Sequence, residues 1–324
     1  MDSLADVSVL VTGATGFIGS HLSRRLAHEG ARVHALTSTV SSVYPVRLLD
    51  IRGQITLHGA NLNDCGAMAS LVDAVDPKIV FHLGAYTHVG KSWDRMDECV
   101  QTNIQGSVNL LQALSRSGFE RMVYTSTSEV YGDVPVPFRE DTPVNPLSPY
   151  AVSKYAGELF CRMLQRGRSW PVVVVRPFNA YGPAQSPDRV IPEIIVKGLR
   201  KERLAMTQGR QTREFNYVED LVDGFMRAAM TPGIEGEVFN IGGGEEISMG
   251  DLATTILELM GNPVTAELGA LPDRPTEIWS MRSDVSKARE RLGLPQPRSL
   301  AEGLEQTIAW YREELNRSAS PFSV

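Results

Sequence analysis

A tyrosine and a lysine four residues apart are the strongest chemical signal in the chain. Tyr150 and Lys154 follow Ser148 and Pro149, which end any preceding helix and favour the start of a new one. In a helix the two side chains would lie on one face. A lysine ammonium near a phenol would lower the tyrosine pKa from its usual value of about 10. We predict a pair that exchanges protons with a sugar hydroxyl; the alternative is an ordinary amphipathic helix.

Two hydroxyl residues and a carboxylate stand upstream of this pair. Thr127, Ser128 and Glu129 directly follow residues 121–125 (RMVYT), whose β-branched and aromatic composition predicts a strand. The carboxyl ends of strands in open α/β sheets border the ligand crevice. We therefore expect these side chains near Tyr150. The alternative for Glu129 is a solvated or structural acid at the end of a strand.

A glycine-rich turn near the start of the chain predicts a dinucleotide site. An apolar run at 7–11 is followed by TGATG and by an amphipathic segment with helical spacing. Gly13, Gly16 and Gly19 give the pattern GxxGxxG. Glycine permits a tight turn, close approach of the backbone to a pyrophosphate and packing of helix on strand, while the helix N-terminus attracts the anion. This order of strand, turn and helix indicates dinucleotide binding.

Six ordered motifs together resemble the extended short-chain dehydrogenase/reductase superfamily, and within it the nucleotide-sugar epimerase and dehydratase group. They cover nearly the whole chain, at residues 12–19, 82–85, 125–132, 150–154, 176–183 and 213–220. The resemblance implies a Rossmann-type, doubly wound parallel sheet of the α/β class with a smaller C-terminal α/β substrate lobe. It also implies NAD or NADP, tightly bound and recycled, and no metal. The residues that it places at the cofactor are Gly13, Thr15, Gly16, Phe17, Ile18, Gly19, Asn61, Leu62, Leu83, Ala85, Thr125, Tyr150, Lys154 and Phe178.

The resemblance also suggests a reaction. Tyr150, Lys154 and Thr127 would act at a sugar 4-hydroxyl, and Glu129 would remove the C5 proton so that the C6 hydroxyl leaves as water. In this respect the chain resembles 4,6-dehydratases and uronate decarboxylases, which carry glutamate at the position of Glu129. The 4-epimerases usually carry a small or neutral residue there. Ser128 replaces the aspartate of glucose-thymidylate dehydratases. The expected activity is a nucleotide-sugar 4,6-dehydratase; the alternatives are a 4-epimerase, a uronate decarboxylase and a cofactor-binding protein without catalysis.

Several polar residues match substrate positions of the family. We expect Arg213 and Arg274 to hold the diphosphate, because guanidinium groups suit that task, and Arg189 is a further candidate. Asn179 would meet a phosphate or a sugar. The loop with His88, and Ser128, would line the sugar pocket. Each arginine could instead be an ordinary surface residue, and a lone loop histidine is more often a packing residue than a metal ligand.

Two positions depart from the dinucleotide pattern. The predicted second strand, 32–36, is followed by Thr37, Ser38 and Thr39 where an acid would bind the adenosine ribose. Hydroxyl groups without a carboxylate tolerate a 2′-phosphate, so the choice between NAD and NADP stays open. Asn61 also replaces an aspartate of the family motif that contacts adenine.

Composition limits the class of protein. The 324 residues are 42% hydrophobic and 22% charged, as in soluble globular proteins, and the net charge of -6 disfavours nucleic-acid and anionic-membrane surfaces. The three cysteines and six histidines lack disulfide or zinc spacing. The chain carries neither a signal-peptide pattern nor an apolar run that could span a bilayer, so we expect a cytoplasmic protein.

The predicted elements suggest how the chain is divided. Residues 5–176 with about 213–242 would bind the cofactor, about 177–212 with 243–316 would bind the nucleotide sugar, and 317–324 would form a flexible tail. Apolar periodicity predicts helices at 97–115, 283–292 and 299–315. By analogy with the family, the helix at 97–115 and the helix of Tyr150 would pair with a second copy as a four-helix bundle.

Overall fold

The computed structural model describes residues 3–38, 45–273 and 277–319. The predictions for Thr39 and Arg274 concern residues outside this part of the chain. Most of the predicted tail, 317–324, also lies outside it. The first three residues of that tail continue the last helix.

Within the described residues, thirteen strands and ten α-helices alternate along most of the sequence. The strands are β1 (Ser8–Thr12), β2 (Arg32–Thr37), β3 (Ile55–Gly59), β4 (Ile79–His82), β5 (Arg121–Thr125), β6 (Val172–Pro177), β7 (Asn179–Tyr181), β8 (Leu204–Ala205), β9 (Thr212–Arg213), β10 (Phe215–Tyr217), β11 (Val238–Ile241), β12 (Ile247–Ser248) and β13 (Ala266–Glu267). The α-helices are α1 (Phe17–His28), α2 (Cys65–Val75), α3 (Met96–Glu98), α4 (Gly106–Leu114), α5 (Pro149–Arg168), α6 (Val190–Arg200), α7 (Val218–Met230), α8 (Met249–Leu259), α9 (Ser286–Leu292) and α10 (Leu300–Ala319).

Seven strands form one parallel sheet in the order β3-β2-β1-β4-β5-β6-β11. This is a Rossmann-type order with a seventh strand added at one edge, and it confirms the predicted fold class. The valines of β6 are buried, because helices cover both faces of the sheet. That position explains their continuous β-branched run.

Two apolar cores lie on opposite faces of the large sheet. Leu22 of α1 and Phe225 of α7 belong to one core. Met68 of α2, Leu111 of α4 and Cys161 of α5 belong to the other. The sheet is therefore doubly wound, with its site-bearing edge left between the two layers.

A third core builds the smaller lobe. Ile195 of α6, Leu252 of α8 and Ile308 of α10 pack together there, beside short two-stranded pairings. One element departs from the predicted division of the chain. Ala288 and Leu292 of α9 pack in the core of the large sheet, although residues 243–316 were assigned to the smaller lobe.

Three helices differ from their predicted form. The helix expected at 97–115 is one helical segment with a π-helical stretch, Cys99–Gln105, between α3 and α4. The helix expected at 283–292 begins three residues later. Helix α10 continues to Ala319, beyond the predicted end at 315.

Candidate active site

The candidate residues meet where adjacent strands of the large sheet end. Strands β1, β4 and β5 run parallel, and Thr12 lies beside His82, which lies beside Tyr124. Their following segments are the glycine turn, the segment from Leu83 and the segment from Thr125. Because carboxyl ends of neighbouring parallel strands share one edge, these segments face the same crevice.

The glycine turn has no space for side chains at two of its positions. Gly13 has a φ of +69°, and a Cβ there would lie 2.7 Å from the backbone nitrogen of Gly84. A Cβ on Gly19 would lie 2.1 Å from the carbonyl oxygen of Gly13. The backbone of the turn therefore packs directly on the start of α1 and on the segment after β4, as a dinucleotide site requires.

Helix α1 begins at this turn, and no side chain caps its N-terminal amides. Gly16 is the N-cap and supplies no side-chain hydrogen bond, and the first turn, which begins with Phe17 and Ile18, contains no acidic residue. The helix dipole and the amides therefore suit a diphosphate. Within the described residues, the buried hydroxyl of Thr125 has no hydrogen-bond partner. It is a polar group available to a ligand at this edge, so the local residues fit a dinucleotide.

Other predicted cofactor residues surround the turn unevenly. Leu62 lies against Gly84: a Cβ added to this glycine would lie 2.8 Å from Leu62 Cδ1. Asn61 uses its side-chain oxygen to accept a hydrogen bond from the backbone of Asn63, at 2.9 Å. The ring of Phe178 packs in a fourth apolar cluster and its N–H donates to the carbonyl of Ile241. These contacts direct the ring of Phe178 into the protein interior.

Helix α5 presents Tyr150 and Lys154 as predicted. Ser148 is its N-cap and accepts a hydrogen bond from the backbone N–H of Ala151 at 3.1 Å. Tyr150 and Lys154 are buried one turn apart. The hydroxyl of Thr127 lies near the phenol of Tyr150 and acts to lower its pKa. The structure thus brings the strand end and the helix together.

Burial controls the ionisation of both side chains. Burial, together with the charge of Glu129, raises the pKa of Tyr150 to about 12, although Thr127 and the charge of Arg189 oppose the rise. The predicted lowering of the Tyr150 pKa is therefore wrong for this environment, because removing the phenolate from water costs more than its neighbours return. Burial also lowers the pKa of Lys154 to about 8.

Lys154 lies over an aromatic ring. Its Nζ is 4.7 Å from the centre of the Tyr124 ring, and the Tyr124 hydroxyl donates to the Lys154 carbonyl at 3.1 Å. An ammonium over a ring face is stabilised electrostatically when water is excluded. The side chain is therefore held in place beneath the crevice.

Glu129 lies in a short 3₁₀ helix, Ser128–Val130, that follows β5. Thr127 caps this helix, since its hydroxyl accepts from the Glu129 N–H at 3.3 Å. Glu129 is half-buried, and its charge acts on the phenol of Tyr150. The carboxylate and the phenol therefore belong to one cluster.

Met281 links two of the predicted substrate residues. The hydroxyl of Ser128 donates to the Met281 sulfur at 3.4 Å, and the amide of Asn179 lies 3.6 Å from the same atom. The Asn179 amide also donates to the carbonyl of Glu214 at 2.9 Å. Ser128 and Asn179 therefore approach the same buried sulfur.

Arg189 and His88 meet at an aspartate. Arg189 Nε lies 4.0 Å from Asp188 Oδ1, and His88 Nε2 lies 3.9 Å from Asp188 Oδ2. Asp188 was not singled out from the sequence, although it directly precedes Arg189. The charge of Arg189 also acts on the phenol of Tyr150, so this group lies within electrostatic reach of the cluster.

Arg213 is held by an acid and by backbone carbonyls. Its Nη2 donates to Glu277 Oε1 at 2.5 Å, and its Nη1 donates to the carbonyls of Thr212 and Ile278. Sequence reasoning missed Glu277, which lies in the segment with Arg274. The guanidinium of Arg213 thus binds one carboxylate and two backbone carbonyls.

The described ranges contain neither a candidate metal site nor a candidate membrane span. Among residues 3–38, 45–273 and 277–319, no three side chains of His, Cys, Asp or Glu are grouped to hold a metal ion. Within the same ranges, no helix is both long enough and apolar enough to cross a membrane.

The sequence profile of the NAD dependent epimerase/dehydratase family matches residues 9–242. The chain belongs to this family, within the extended short-chain dehydrogenases/reductases. It is 34% identical to a UDP-glucose 4-epimerase of Mycolicibacterium smegmatis over 323 residues, covering 94% of this chain and 98% of that one. It is equally 34% identical to a dTDP-glucose 4,6-dehydratase of Streptomyces griseus over 314 residues, covering 94% of each chain. A crystal structure of a dTDP-glucose 4,6-dehydratase from Streptomyces venezuelae with NAD bound matches with a TM-score of 0.85 at 30% identity, covering 95% of this chain and 98% of that one.

Proposed function

We propose that the protein is a nucleotide-sugar 4,6-dehydratase that works with a tightly bound NAD. The observation that carries this proposal is the placement of Glu129 in the same cluster as Thr127 and the phenol of Tyr150. A dehydratase needs one group for the 4-hydroxyl and a second, carboxylate, group for the neighbouring carbon. The cluster contains both.

The glycine turn, the first turn of α1, Leu62 and Thr125 would hold the dinucleotide, and Lys154 would bond its nicotinamide ribose. A nicotinamide held there would supply the hydride acceptor and donor for C4 and C6, and the positive charge of its oxidised form would favour a nearby phenolate. The solved relative from Streptomyces venezuelae, which has NAD bound, supports NAD.

Tyr150 and Glu129 would divide the proton transfers. Tyr150 takes the proton of the 4-hydroxyl, and Thr127 hydrogen-bonds the same oxygen. The resulting 4-ketone makes the C5 proton acidic, and Glu129 removes it. Glu129 then gives this proton to the departing C6 hydroxyl, which leaves as water. Tyr150 gives the proton that it took from the 4-hydroxyl to C5. One water is lost overall, and both side chains regain their initial protonation states.

A single carboxylate serves as base and acid in this scheme because the adjacent residue is Ser128. The hydroxyl of Ser128 is 3.4 Å from the sulfur of Met281 and carries no charge. We assign Ser128, Asn179 and His88 to the sugar, Arg213 with Arg274 to the diphosphate, and Arg189 to the mouth of the pocket. Binding of the diphosphate at Arg213 would compete with its bond to Glu277.

A 4-epimerase is the second candidate, and the relatives favour it equally. The epimerase from Mycolicibacterium smegmatis and the dehydratase from Streptomyces griseus share the same 34% identity with this chain. An epimerase needs the Tyr150 proton transfer but no base at C5. Glu129 therefore separates the two functions.

Replacement of Glu129 by Gln tests the assignment. The amide keeps the size of the side chain and cannot accept the C5 proton, so we expect dehydration to fall at least a hundredfold. Binding of NAD, followed by fluorescence, should stay unchanged. Replacement of the half-buried Glu140, an acid outside the cluster, by Gln is the control. Undiminished dehydration by the Glu129 variant would remove Glu129 from the mechanism.

We also propose that two copies associate through the outer faces of α5 and of the helix at 96–114. Apolar side chains on these helices are exposed, including Val152, Leu159 and Met163 of α5 and Met96 and Val100 before α4. Exposed apolar side chains on two neighbouring helices are typical of an interface. Two helices from each copy would then form a four-helix bundle.

A further inference from the structure

A buried ion pair lies directly behind the candidate active site. Glu158 of α5 and Arg176 of β6 are fully buried, and their closest contact, from Arg176 Nη2 to Glu158 Oε1, is 2.6 Å. A second bond joins Arg176 Nε to Glu158 Oε2 at 3.1 Å. The pair is therefore bidentate and has a fixed direction.

The pair also binds the two ends of the segment that carries the candidate acid. The Ser126 hydroxyl, directly before Thr127, donates to Glu158 Oε2 at 2.9 Å. At the other end, Arg176 Nη1 donates to the Tyr131 hydroxyl at 2.9 Å. That hydroxyl donates in turn to the side chain of Asn240, at 2.7 Å.

Glu158 is one of three side chains at four-residue intervals on the same helix. Tyr150, Lys154 and Glu158 occupy successive turns of α5 and face one side of it. Glu158 thus joins the helix that carries the phenol to the segment that carries Thr127 and Glu129. Neither Glu158 nor Arg176 belongs to the catalytic cluster itself.

We propose that the Glu158–Arg176 pair positions residues 126–131 against α5, so that Thr127 and Glu129 meet Tyr150 in the reactive arrangement. This inference rests on the proposed function, because it assumes that those three residues act together. Glu158 and Arg176 are positioning residues: they act through Ser126 and Tyr131 and do not contact the substrate.

Stability alone is a weak reason for such a pair. Removing two charges from water is costly, and apolar side chains of similar volume often stabilise a protein as well or better. Unlike apolar packing, the hydrogen bonds of the pair are directional. They fix the Ser126 and Tyr131 hydroxyls at defined distances. Catalysis depends on such distances, and a displacement of about 1 Å can cost about a hundredfold in rate.

Two conservative substitutions test the proposal and leave both charges of the Glu158–Arg176 pair in place. Ser126→Ala and Tyr131→Phe each remove one hydroxyl that the pair binds. Ser8→Ala and Tyr181→Phe are matched controls, because each removes one buried hydroxyl that bonds a backbone carbonyl elsewhere in the fold. We expect kcat to fall about tenfold in both test variants with KM nearly unchanged, and to stay within about twofold in both controls.

Crystal structures of the four variants give a readout that does not require turnover. We expect the distance from the Thr127 hydroxyl to the Tyr150 phenol to increase in the test variants and to stay unchanged in the controls. Test variants that match the controls in kcat and keep the wild-type distance would overturn the proposal. If the wild-type protein turned over no nucleotide sugar, the proposed function would fail, and the crystal structures alone would decide whether the pair positions the segment.

Discussion

At the scale of single residues, burial outweighs neighbouring charge in this site. Tyr150 and Lys154 lie one turn apart, yet the pKa of Tyr150 is raised and that of Lys154 is lowered, each mainly by loss of water. Both changes favour the neutral form of the side chain. A bound ligand that carries charge into the crevice would therefore alter the ionisation of both groups.

Replacement of Lys154 by Met should abolish activity and stabilise the fold. Below pH 8, Lys154 of the wild-type protein is charged in the folded and in the unfolded state, and the folded state bears the full free-energy cost of burying the ammonium. This cost declines between pH 8 and about 10.5, because the folded protein loses the proton while the unfolded chain keeps it. The variant should be more stable by up to about 3 kcal/mol at pH 7, with a smaller advantage at pH 9.5.

Urea unfolding of wild type and variant at the two pH values measures this difference. Replacement of the exposed Lys201 by Met is the control, since its ammonium already lies in water. A variant of Lys154 less stable than wild type at pH 7 would show that the ammonium makes a net favourable contribution to folding.

The residues with chemical side chains at fixed spacing were predictable from the sequence. Tyr150, Lys154 and Glu129 stand out because local rules place them at a helix start and a strand end. Glu158 and Arg176 were missed, because their importance depends on contacts between distant elements. A charged residue at the end of the apolar run 172–175, and an acid one turn after Lys154, are the only signals that the chain offers for them.

At the scale of elements, a hydrogen-bond chain joins β1, β4 and α4. The Ser107 hydroxyl donates to the Asn103 carbonyl at 2.6 Å, so it accepts from His82 Nε2 at 2.9 Å. His82 Nδ1 then accepts from the Thr12 hydroxyl at 2.7 Å, and Thr12 Oγ1 accepts from the Gly84 N–H. The imidazole is neutral and fully bonded. Burial, with the nearby charge of Lys154, lowers the pKa of His82 to about 3.

This histidine should make the protein sensitive to mild acid. Between pH 6.5 and 3 the unfolded chain binds a proton at His82 that the folded protein does not bind, so stability falls as the pH falls. The contribution is about 1.4 kcal/mol for each pH unit. Replacement of His82 by Gln removes it, so wild type should lose about 2 kcal/mol more than the variant between pH 7 and pH 5. Chemical unfolding at both pH values measures the two losses, and equal losses would contradict the assignment.

Helix boundaries show what periodicity cannot resolve. The apolar spacing at 97–115 predicts a helix. The π-helical stretch within it adds a fraction of a turn, and the apolar spacing of the sequence does not reveal this change. Asn103 lies in this stretch and bonds the backbone of Tyr86 and the hydroxyl of Ser153. These contacts between elements select a backbone that local propensity does not predict.

At the scale of the whole molecule, the apolar faces of α5 and the preceding helix predict a dimer. Replacement of Leu159 by Glu would place a charge in the interface and should shift the protein to monomers in light-scattering measurements. Replacement of Val46 by Glu is the control, because Val46 is exposed on another part of the surface. A wild-type protein that is monomeric at micromolar concentration would exclude the bundle.

The parallel sheet was expected from the family resemblance, and the order of strand, glycine turn and helix at the start of the chain agrees with it. The packing of the second half of the chain did not follow in the same way. The smaller lobe draws on separated segments, and α9 returns to the large sheet through Ala288 and Leu292. Such returns depend on long-range packing, which a local pattern does not encode.

The mass of the product formed from a panel of nucleotide sugars tests the central claim most directly. Purified protein loaded with NAD should convert one member of the panel into a product lighter by one water, and the Glu129→Gln variant should not. A product of unchanged mass, differing only in the configuration at C4, would contradict the account and identify a 4-epimerase.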